Sequence, residues 1–218
     1  SSGSSPNYYK ITLPFDAALA VNNPTWVLNL EAYMNGNGVT EYVYAGDLHG
    51  RLWALDFTTF GAEGWSAGQL SRFNTGAAGS LRAYPMYIAK DRNGVFQPIS
   101  AAPTILKGAN PDQHFVGFGT GKYFETGDAT TTQQNTYYVL YDNGSGSAAG
   151  GESGVVGIAG RGRLQQVTAN ASGNLSPTAA FTWGRATSDG DAARRSGWYY
   201  DMPGTGERVV YDSVYVPM

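Results

Sequence analysis

The side chains that most often carry out catalysis or bind metals are few in this sequence and lie far apart. His49 and His114 are the only two histidines, and there is no cysteine. No His-x-x-x-His pair exists, so the ligand spacing that a zinc site needs is missing. The lack of cysteine excludes disulfides, thiolate metal sites, c-type haem attachment and a cysteine nucleophile.

Three further patterns suggest chemistry, and each also has a plainer structural interpretation. Gly117-Phe-Gly-Thr-Gly-Lys122 resembles a phosphate-binding loop, but Tyr123 follows the lysine and no helical pattern begins there, so we interpret it as a hairpin turn. Asp47 and Asp56 bracket a predicted hairpin and could be metal ligands, although aspartates at such positions more often accept backbone N–H groups. The acidic pair at 189–191 could hold a cation, but we interpret it as a solvated turn.

Charge and hydropathy restrict the possible partners. The formal net charge is −3, so no basic surface is available to hold nucleic acid. No apolar run approaches the roughly 18 residues that a membrane-spanning helix needs. The sequence therefore predicts no nucleic-acid partner and no membrane span. It begins at Ser1 without a visible signal peptide, which leaves export open.

The composition favours short strands joined by turns. Thirty glycines and ten prolines accompany fifteen tyrosines and five tryptophans, a mixture typical of β-structure and not of long helices. Strand pairs are predicted at 41–56, 115–125 and 197–211, with turns at 47–50, 119–121 and 203–206. Single strands are predicted at 25–30, 86–89, 136–141, 162–168 and 180–183, and a short helical turn near 16–21.

A recurring hairpin indicates the architecture. The Gly-Asp-x-x-Gly-x-Leu-Trp pattern that ends in Leu55-Asp56 resembles the inner hairpin of a β-propeller blade, a unit that recurs about every 40–50 residues. We therefore predict an all-β chain that forms a β-propeller with antiparallel four-stranded blades. At that repeat length the chain accounts for about four or five blades. Residues 1–9 are predicted to be a flexible segment and 10–218 a partial propeller domain.

Four blocks, in order along the chain, resemble the C-terminal propeller of the PilY1/PilC family of type IV pilus tip proteins. They are Val43-Tyr-Ala-Gly-Asp-Leu-His-Gly-Arg-Leu-Trp-Ala-Leu-Asp56, Gln97-Pro-Ile-Ser-Ala-Ala-Pro103, Val116-Gly-Phe-Gly-Thr-Gly-Lys-Tyr-Phe-Glu125 with 133–142, and Gly197-Trp-Tyr-Tyr-Asp-Met-Pro203 with Gly206-Glu-Arg-Val-Val210. A single block would be weak evidence, whereas four in family order are specific.

This resemblance implies a fold, a location and partners. The fold would be part of a larger, seven-bladed modified propeller, completed by the remaining part of the same propeller. The location would be extracellular, at the pilus tip or the outer-membrane surface. The partners would be minor pilins and a host-cell or abiotic surface. The expected function is pilus assembly, retraction control and adhesion, and not enzymatic catalysis.

The resemblance also implies a degenerate calcium site. In the family, an acidic loop before the first block binds calcium, and counting back from Val43 places that loop on residues 33–41. Asn35, Asn37 and Glu41 occupy three of its ligand positions, but Tyr33 replaces the first aspartate. Calcium affinity follows the charge and rigidity of the ligands. We therefore expect weak calcium binding or none, with an ordinary Asn-Gly hairpin turn as the alternative.

Two other classes of protein remain open at this stage. The first is a fragment of a quinoprotein dehydrogenase, whose propeller repeats carry similar Gly-x-Leu hairpins. That class would repeat a tryptophan-docking motif several times and supply a carboxylate base, whereas one hairpin here fits. The second is a plain scaffold propeller that binds peptides.

Overall fold

The computed structural model describes residues 8–77, 79–144 and 156–214. Strands dominate, with two short α-helices. The strands are β1 (Val27–Met34), β2 (Thr40–Asp47), β3 (Arg51–Asp56), β4 (Asn74–Thr75), β5 (Arg82–Ala83), β6 (Tyr87–Ile88), β7 (Thr104–Lys107), β8 (His114–Gly119), β9 (Thr136–Asp142), β10 (Gln165–Ala169), β11 (Leu175–Pro177) and β12 (Gly197–Asp201). The helices are α1 (Ala17–Ala20) and α2 (Ala67–Leu70), and short 3₁₀ helices lie at Ala62–Gly64, Thr126–Thr130 and Arg161–Arg163.

The first sheet has the order β1-β2-β3-β6, and every neighbouring pair is antiparallel. Its first three strands follow each other directly through tight turns. The fourth strand, β6, arrives only after an insertion at 57–86 that contains α2 and the β4–β5 pair. This is the antiparallel four-stranded unit that the sequence predicts.

The second sheet follows the same plan and is then extended. Strands β7, β8, β9 and β12 form an antiparallel four-stranded unit. Between β9 and β12 lies a second insertion, whose β10–β11 hairpin adds two strands beyond β12. The β10–β12 contact is parallel, so β10 does not continue the antiparallel meander. The result is six strands, where the sequence predicts four.

The two sheets share one hydrophobic core. Side chains alternate between the faces of a strand, and in β9 the pattern from Thr136 to Asp142 is buried at every second residue. The faces that meet, here called the inward faces, contribute Tyr42, Tyr44, Leu52 and Ala54 from the first sheet and Val116, Phe118, Tyr138 and Leu140 from the second.

The opposite, outward faces differ in how they are covered. In the first sheet, Val43 and Leu55 pack with Leu70 of α2, while Trp53 packs with Ala83 of β5. The N-terminal segment contributes Ile11 and Leu13 to the same layer. In the second sheet, Leu106, Phe115, Tyr137, Val139 and Tyr141 point outward and remain partly exposed.

The C-terminal segment differs from its prediction. Residues 202–214, here called the strap, do not return as a strand beside β12 but run across the ends of the second sheet. Val209 donates its N–H to Thr120 O, and Asp212 Oδ1 accepts the N–H of Ala102 at 2.7 Å. The predicted hairpin at 197–211 is therefore wrong in its second strand, because Gly119 leaves room for Val209 to pack directly against β8.

Other predictions at the level of single elements have mixed outcomes. The pairing predicted within 115–125 is wrong, since β8 pairs with β7 and β9. No strand forms at 180–183; Trp183 makes one isolated bridge with Arg195. The helical turn near 16–21 is confirmed as α1, which Asp16 caps by accepting two backbone N–H groups. The glycine-rich loop at 144–154 and the flexible segment at 1–9 fall largely outside the described residues.

Within the described residues, two of the sheets are blade-like units. The repeat length predicts four or five blades. The two insertions account for this difference, since they lengthen each unit well beyond the repeat of a simple blade. None of the helices in the described ranges has the length and apolar character needed to cross a membrane.

Candidate functional site

The 33–41 loop, at which weak calcium binding or none is predicted, forms a hairpin turn whose polar groups bond to one another. Oδ1 of Asn35 accepts the backbone N–H groups of Asn37 and Val39 at 3.0 and 3.1 Å, and its Nδ2 donates to Glu41 Oε1 at 3.0 Å. Gly38 closes the turn at φ 76°. Calcium requires six to eight oxygen ligands, whereas here an N–H group faces the single carboxylate. The geometry fits a turn without metal, and weak calcium binding or none at Asn35, Asn37 and Glu41 stays a prediction.

Tyr33, which replaces the expected aspartate, does not face this turn. Its ring packs against the imidazole of His114 with centroids 4.6 Å apart, within the core between the two sheets. Glu31, two residues earlier on the same strand, is exposed and lies opposite Tyr44 in the β1–β2 register. The residue that looks like a lost ligand in sequence is therefore a packing residue.

Asp47 has the structural role that sequence reasoning preferred for it. One carboxylate oxygen accepts the N–H groups of His49 and Arg51, at 2.9 and 3.0 Å, and the other accepts the indole N–H of Trp53 at 3.1 Å. Trp53 is buried. The carboxylate thus fixes both the β2–β3 turn and the tryptophan, which explains the Gly-Asp-x-x-Gly-x-Leu-Trp pattern without a ligand. Asp56 likewise accepts the N–H and hydroxyl of Thr58.

Among the residues that the structure describes, the same turn occurs at four places, a recurrence that was not predicted from the sequence. An aspartate or asparagine accepts the N–H groups two and four residues later, and the glycine three residues later has positive φ. The four turns begin at Asn35, Asp47, Asp91 and Asn170. A search for Asx-x-x-Gly between predicted strands would have found them.

Polar side chains in two of the remaining family-like blocks also bond to other groups within the fold. Gln97 bridges the two sheets: its Nε2 donates to Gln134 O and Thr136 Oγ1, and its Oε1 accepts from the Tyr138 hydroxyl at 2.8 Å. Lys122, in the loop that resembles a phosphate-binding motif, forms an ion pair with Asp128 at 2.6 Å. Its charge is therefore already matched within the chain.

Two polar patterns are accounted for in the same way. Gly64-Trp-Ser66-Ala-Gly68 has the spacing of a nucleophile elbow, a match that the sequence analysis overlooked. A 3₁₀ turn precedes it instead of a strand, and the Ser66 hydroxyl caps α2 and bonds to Gln69, so the context of an elbow is missing. Asp191 accepts N–H groups from Thr187 and Ala193, and these bonds lower its pKa.

A buried cluster of polar side chains joins the inward faces of the two sheets, and we call it the inter-sheet joint. It consists of Tyr44 of β2, Arg72 after α2, His114 of β8 and Asp142 of β9. The Tyr44 hydroxyl donates to Asp142 Oδ2 at 2.7 Å and lies 3.1 Å from Nδ1 of His114. Arg72 Nε lies 3.3 Å from Asp142 Oδ2, and its guanidinium lies over the Tyr42 ring.

Burial governs the electrostatics of this joint. It raises the pKa of Asp142, against the opposing effects of Arg72 and Tyr44. It also raises the pKa of Tyr44 well above its usual value, and the Asp142 charge adds to this shift. Burial and then the Arg72 charge lower the pKa of His114 to about 4. The imidazole of His114 is therefore neutral at physiological pH.

None of the described residues forms a group of three or more His, Cys, Asp or Glu side chains placed to hold a metal. The features left available for partners are apolar surfaces. Strand β1 is an edge strand, and Leu28, Leu30 and Met34 are exposed on it, next to Trp26. The outward face of the second sheet is the other such surface. Large exposed apolar areas at sheet edges and faces are typical of sites that bind another protein segment.

Two four-stranded antiparallel units that pack face to face, each with a further face or edge left open, are typical of adjacent blades of a β-propeller. Comparison with known proteins agrees with this class. A family model described as the PilY1 beta-propeller domain matches residues 27–178. The crystal structure of the Pseudomonas aeruginosa PilY1 C-terminal domain is similar, with a TM-score of 0.61 and 28% identity over 94% of this chain and 45% of that one.

Curated relatives give the same result. The type IV pilus biogenesis factor PilY1 of Pseudomonas aeruginosa is 34% identical over 206 residues, which cover 84% of this chain. A PilY1 homolog of Xylella fastidiosa is 26% identical over 174 residues and 79% of this chain. The matched region is 17% of the length of the Pseudomonas protein and 10% of the Xylella protein. The chain belongs to the PilY1 β-propeller domain family, and its two four-stranded units are blades.

Proposed function

We propose that this chain is the propeller part of a type IV pilus biogenesis factor and acts by binding other proteins, not by catalysis. The observation that carries the proposal is the match to the PilY1 propeller over 27–178, together with 34% identity to a protein named as such a factor. The polar residues of the matching blocks support it, because they bond within the fold and leave apolar surfaces for contacts.

The finer expectations belong to the same proposal. The partners are minor pilins, and the protein acts at the pilus tip or the outer-membrane surface. There it supports pilus assembly, opposes retraction and attaches the pilus to host cells or abiotic surfaces. The surfaces suited to such contacts are apolar and rich in aromatic residues, and they lack a strong charge of either sign. These surface properties favour protein partners that bury hydrophobic area, and they disfavour nucleic acids.

The first partner of this region is the remainder of its own propeller. The aromatic residues on the outward face of the second blade form a connected layer: Phe115 stacks on Tyr141 with centroids 4.9 Å apart, and Trp183 packs against Phe115 at 4.8 Å. Such a half-buried layer gains stability when another sheet covers it. Residues 213 and 214 of the strap border this face, so the strap already covers one part of it.

The completeness of the propeller is tested with purified protein. Residues 1–218 alone are expected to aggregate or to melt over a broad range, because open blade faces and strand edges stay in water. A longer form that contains the neighbouring parts of the propeller is expected to be a soluble monomer with one sharp transition. A sharp, high-temperature transition of the 218-residue monomer would contradict the proposal.

The role in pilus biogenesis is tested by replacement in a bacterium. In Pseudomonas aeruginosa, the segment of PilY1 that matches this chain is exchanged for residues 8–214, and surface pili and twitching motility are measured. We expect restored piliation relative to a strain that lacks the segment. The control reinserts the native segment through the same junctions. If the exchanged protein is exported and stable but piliation stays absent, the proposed function is wrong.

No observation favours the quinoprotein dehydrogenase. The Asp47–Trp53 contact explains the one hairpin that resembles its repeat, so we do not propose that activity.

A further inference from the structure

The inter-sheet joint contains a histidine whose protonation the fold resists. His114 is completely buried, with rings of three tyrosines around it: Tyr33 at 4.6 Å, Tyr42 at 4.8 Å and Tyr44 at 5.8 Å between centroids. Its neighbours come from both blades, because the tyrosines lie on β1 and β2 whereas His114 lies on β8. The packing around this side chain therefore depends on contact between the blades.

Hydrogen-bond counting defines the tautomer of His114. The Tyr44 hydroxyl has one proton, which it donates to Asp142 at 2.7 Å. The 3.1 Å contact between Tyr44 Oη and His114 Nδ1 must then use the proton on Nδ1, so Nε2 carries a lone pair. Within the part of the chain that is described, Nε2 is buried and has no hydrogen-bond partner.

Adding a proton to Nε2 would place a second positive charge in this site. The Arg72 guanidinium already lies over Tyr42 and bonds to Asp142, so the imidazolium would share its partners with another cation. The new N–H would find no acceptor, and a buried charged group without a hydrogen bond is costly. The negative charge of Asp112 favours protonation of His114, whereas the positive charge of Lys107 opposes it.

We propose that Tyr44, Arg72, His114 and Asp142 form an acid-sensitive joint, in which neutral His114 holds the two blades together and its protonation at Nε2 loosens their contact. The joint needs no partner protein, and its behaviour is independent of the proposed role in pilus biogenesis. Because β2, β8 and β9 meet there, loosening exposes the inward faces of the blades and weakens the pairing of these three strands, while the peripheral β10–β11 hairpin remains bonded.

The direction of the pH effect follows from linkage. The pKa of His114 is about 4 in the folded chain and 6.5 when unperturbed, so between these values only the unfolded chain binds the proton. The contribution of neutral His114 to the free energy of unfolding is therefore fully present above about pH 6.5 and is lost as the pH falls toward 4. Burial raises the pKa of Asp142, and this acts in the opposite direction. A histidine variant is thus needed to isolate the effect.

The test uses the full-length protein or the longest soluble form that contains this region. Urea unfolding of this region is compared at pH 7 and pH 4.5 for the wild type and His114→Gln, which keeps an N–H donor and does not titrate in this range. From pH 7 to 4.5 the wild-type unfolding constant is expected to rise about 50-fold more than that of His114→Gln. The matched control is His49→Gln, since His49 lies at the β2–β3 turn, away from the joint.

Hydrogen exchange locates the change. At pH 4.5 the wild type is expected to lose protection at Tyr44 and in β8 and β9 relative to His114→Gln at the same pH, while the β10–β11 hairpin is unaffected. If the variant does not fold, the pKa of His114 is measured by NMR in the wild type. A value near 4 supports the joint. A value above 6, or equal pH dependence in wild type and His114→Gln, overturns it.

Discussion

The two blades begin alike and differ in what lies between their third and fourth strands. In the first blade, the insertion at 57–86 folds over the outward face and places Leu70 and Ala83 against it. In the second blade, the insertion extends the edge with β10 and β11 and leaves much of the outward face exposed. In this region, the insertion of each blade determines whether its outward face is covered by its own chain or remains open to another protein segment.

The two inward faces do not differ in this way, because each covers the other. They share one apolar core and the inter-sheet joint. Substitutions at the joint test what holds the two blades together. Substitutions on the two outward faces, and at turns of the same type in the two sheets, test what stabilises each blade by itself.

The largest effect is expected at the joint. Arg72→Met removes the cation beside Asp142, whose side chain is completely buried, and an uncompensated buried charge costs about 3–5 kcal/mol. Chemical unfolding of the protein that contains both blades measures this cost. The control is Glu125→Gln, which removes the charge of a half-exposed partner of Lys122 and should cost less than about 1 kcal/mol. Equal costs would show that the joint does not hold the blades together.

The second prediction compares the outward faces. Leu55 is buried on the first blade, whereas Leu106 is partly exposed on the second. In the complete propeller, Leu55→Ala should cost about 2–5 kcal/mol, and Leu106→Ala should cost a similar amount, because another blade then covers Leu106. Chemical unfolding of the complete protein measures both costs. If Leu106→Ala is clearly cheaper there, the outward face of the second blade stays open.

The third prediction compares the same turn in the two blades. Asp47→Ala removes an acceptor for two backbone N–H groups and the indole of buried Trp53, so we expect a loss of about 2–3 kcal/mol. Asn170→Ala removes two bonds from an exposed turn and should cost about 1 kcal/mol. Thermal unfolding of both variants measures the difference. Similar losses would mean that the bond to Trp53 contributes little.

The smallest effect is expected at the 35–41 turn. We predict that it holds calcium weakly or not at all, since Asn35 Oδ1 already accepts two N–H groups and its Nδ2 donates to Glu41. Calorimetric titration of calcium into the wild type tests this, with Asn37→Ala and Glu41→Ala as comparisons. Submicromolar binding that either substitution abolishes would contradict the prediction.

Much of the local structure could be predicted from the sequence. The hairpin at 41–56, the strand at 136–141 and the capped turn at Asp16 all form where the residue pattern places them. Their hydrogen bonds connect residues that are close in sequence, so composition and turn chemistry are sufficient. The pairings within 115–125 and 197–211 were wrong because a glycine-rich stretch marks a turn but does not identify the strand that follows it.

The class of fold and the scarcity of catalytic and metal-binding side chains could be predicted from the amino-acid pattern alone. Only the tertiary structure decided that Tyr33 packs on His114, that Arg72 reaches Asp142, and that the strap crosses the second blade. These contacts join residues that are distant along the chain, and they depend on how two sheets fit together through the volumes of their side chains. No local pattern encodes that fit, because each of these residues would suit an exposed strand or loop equally well.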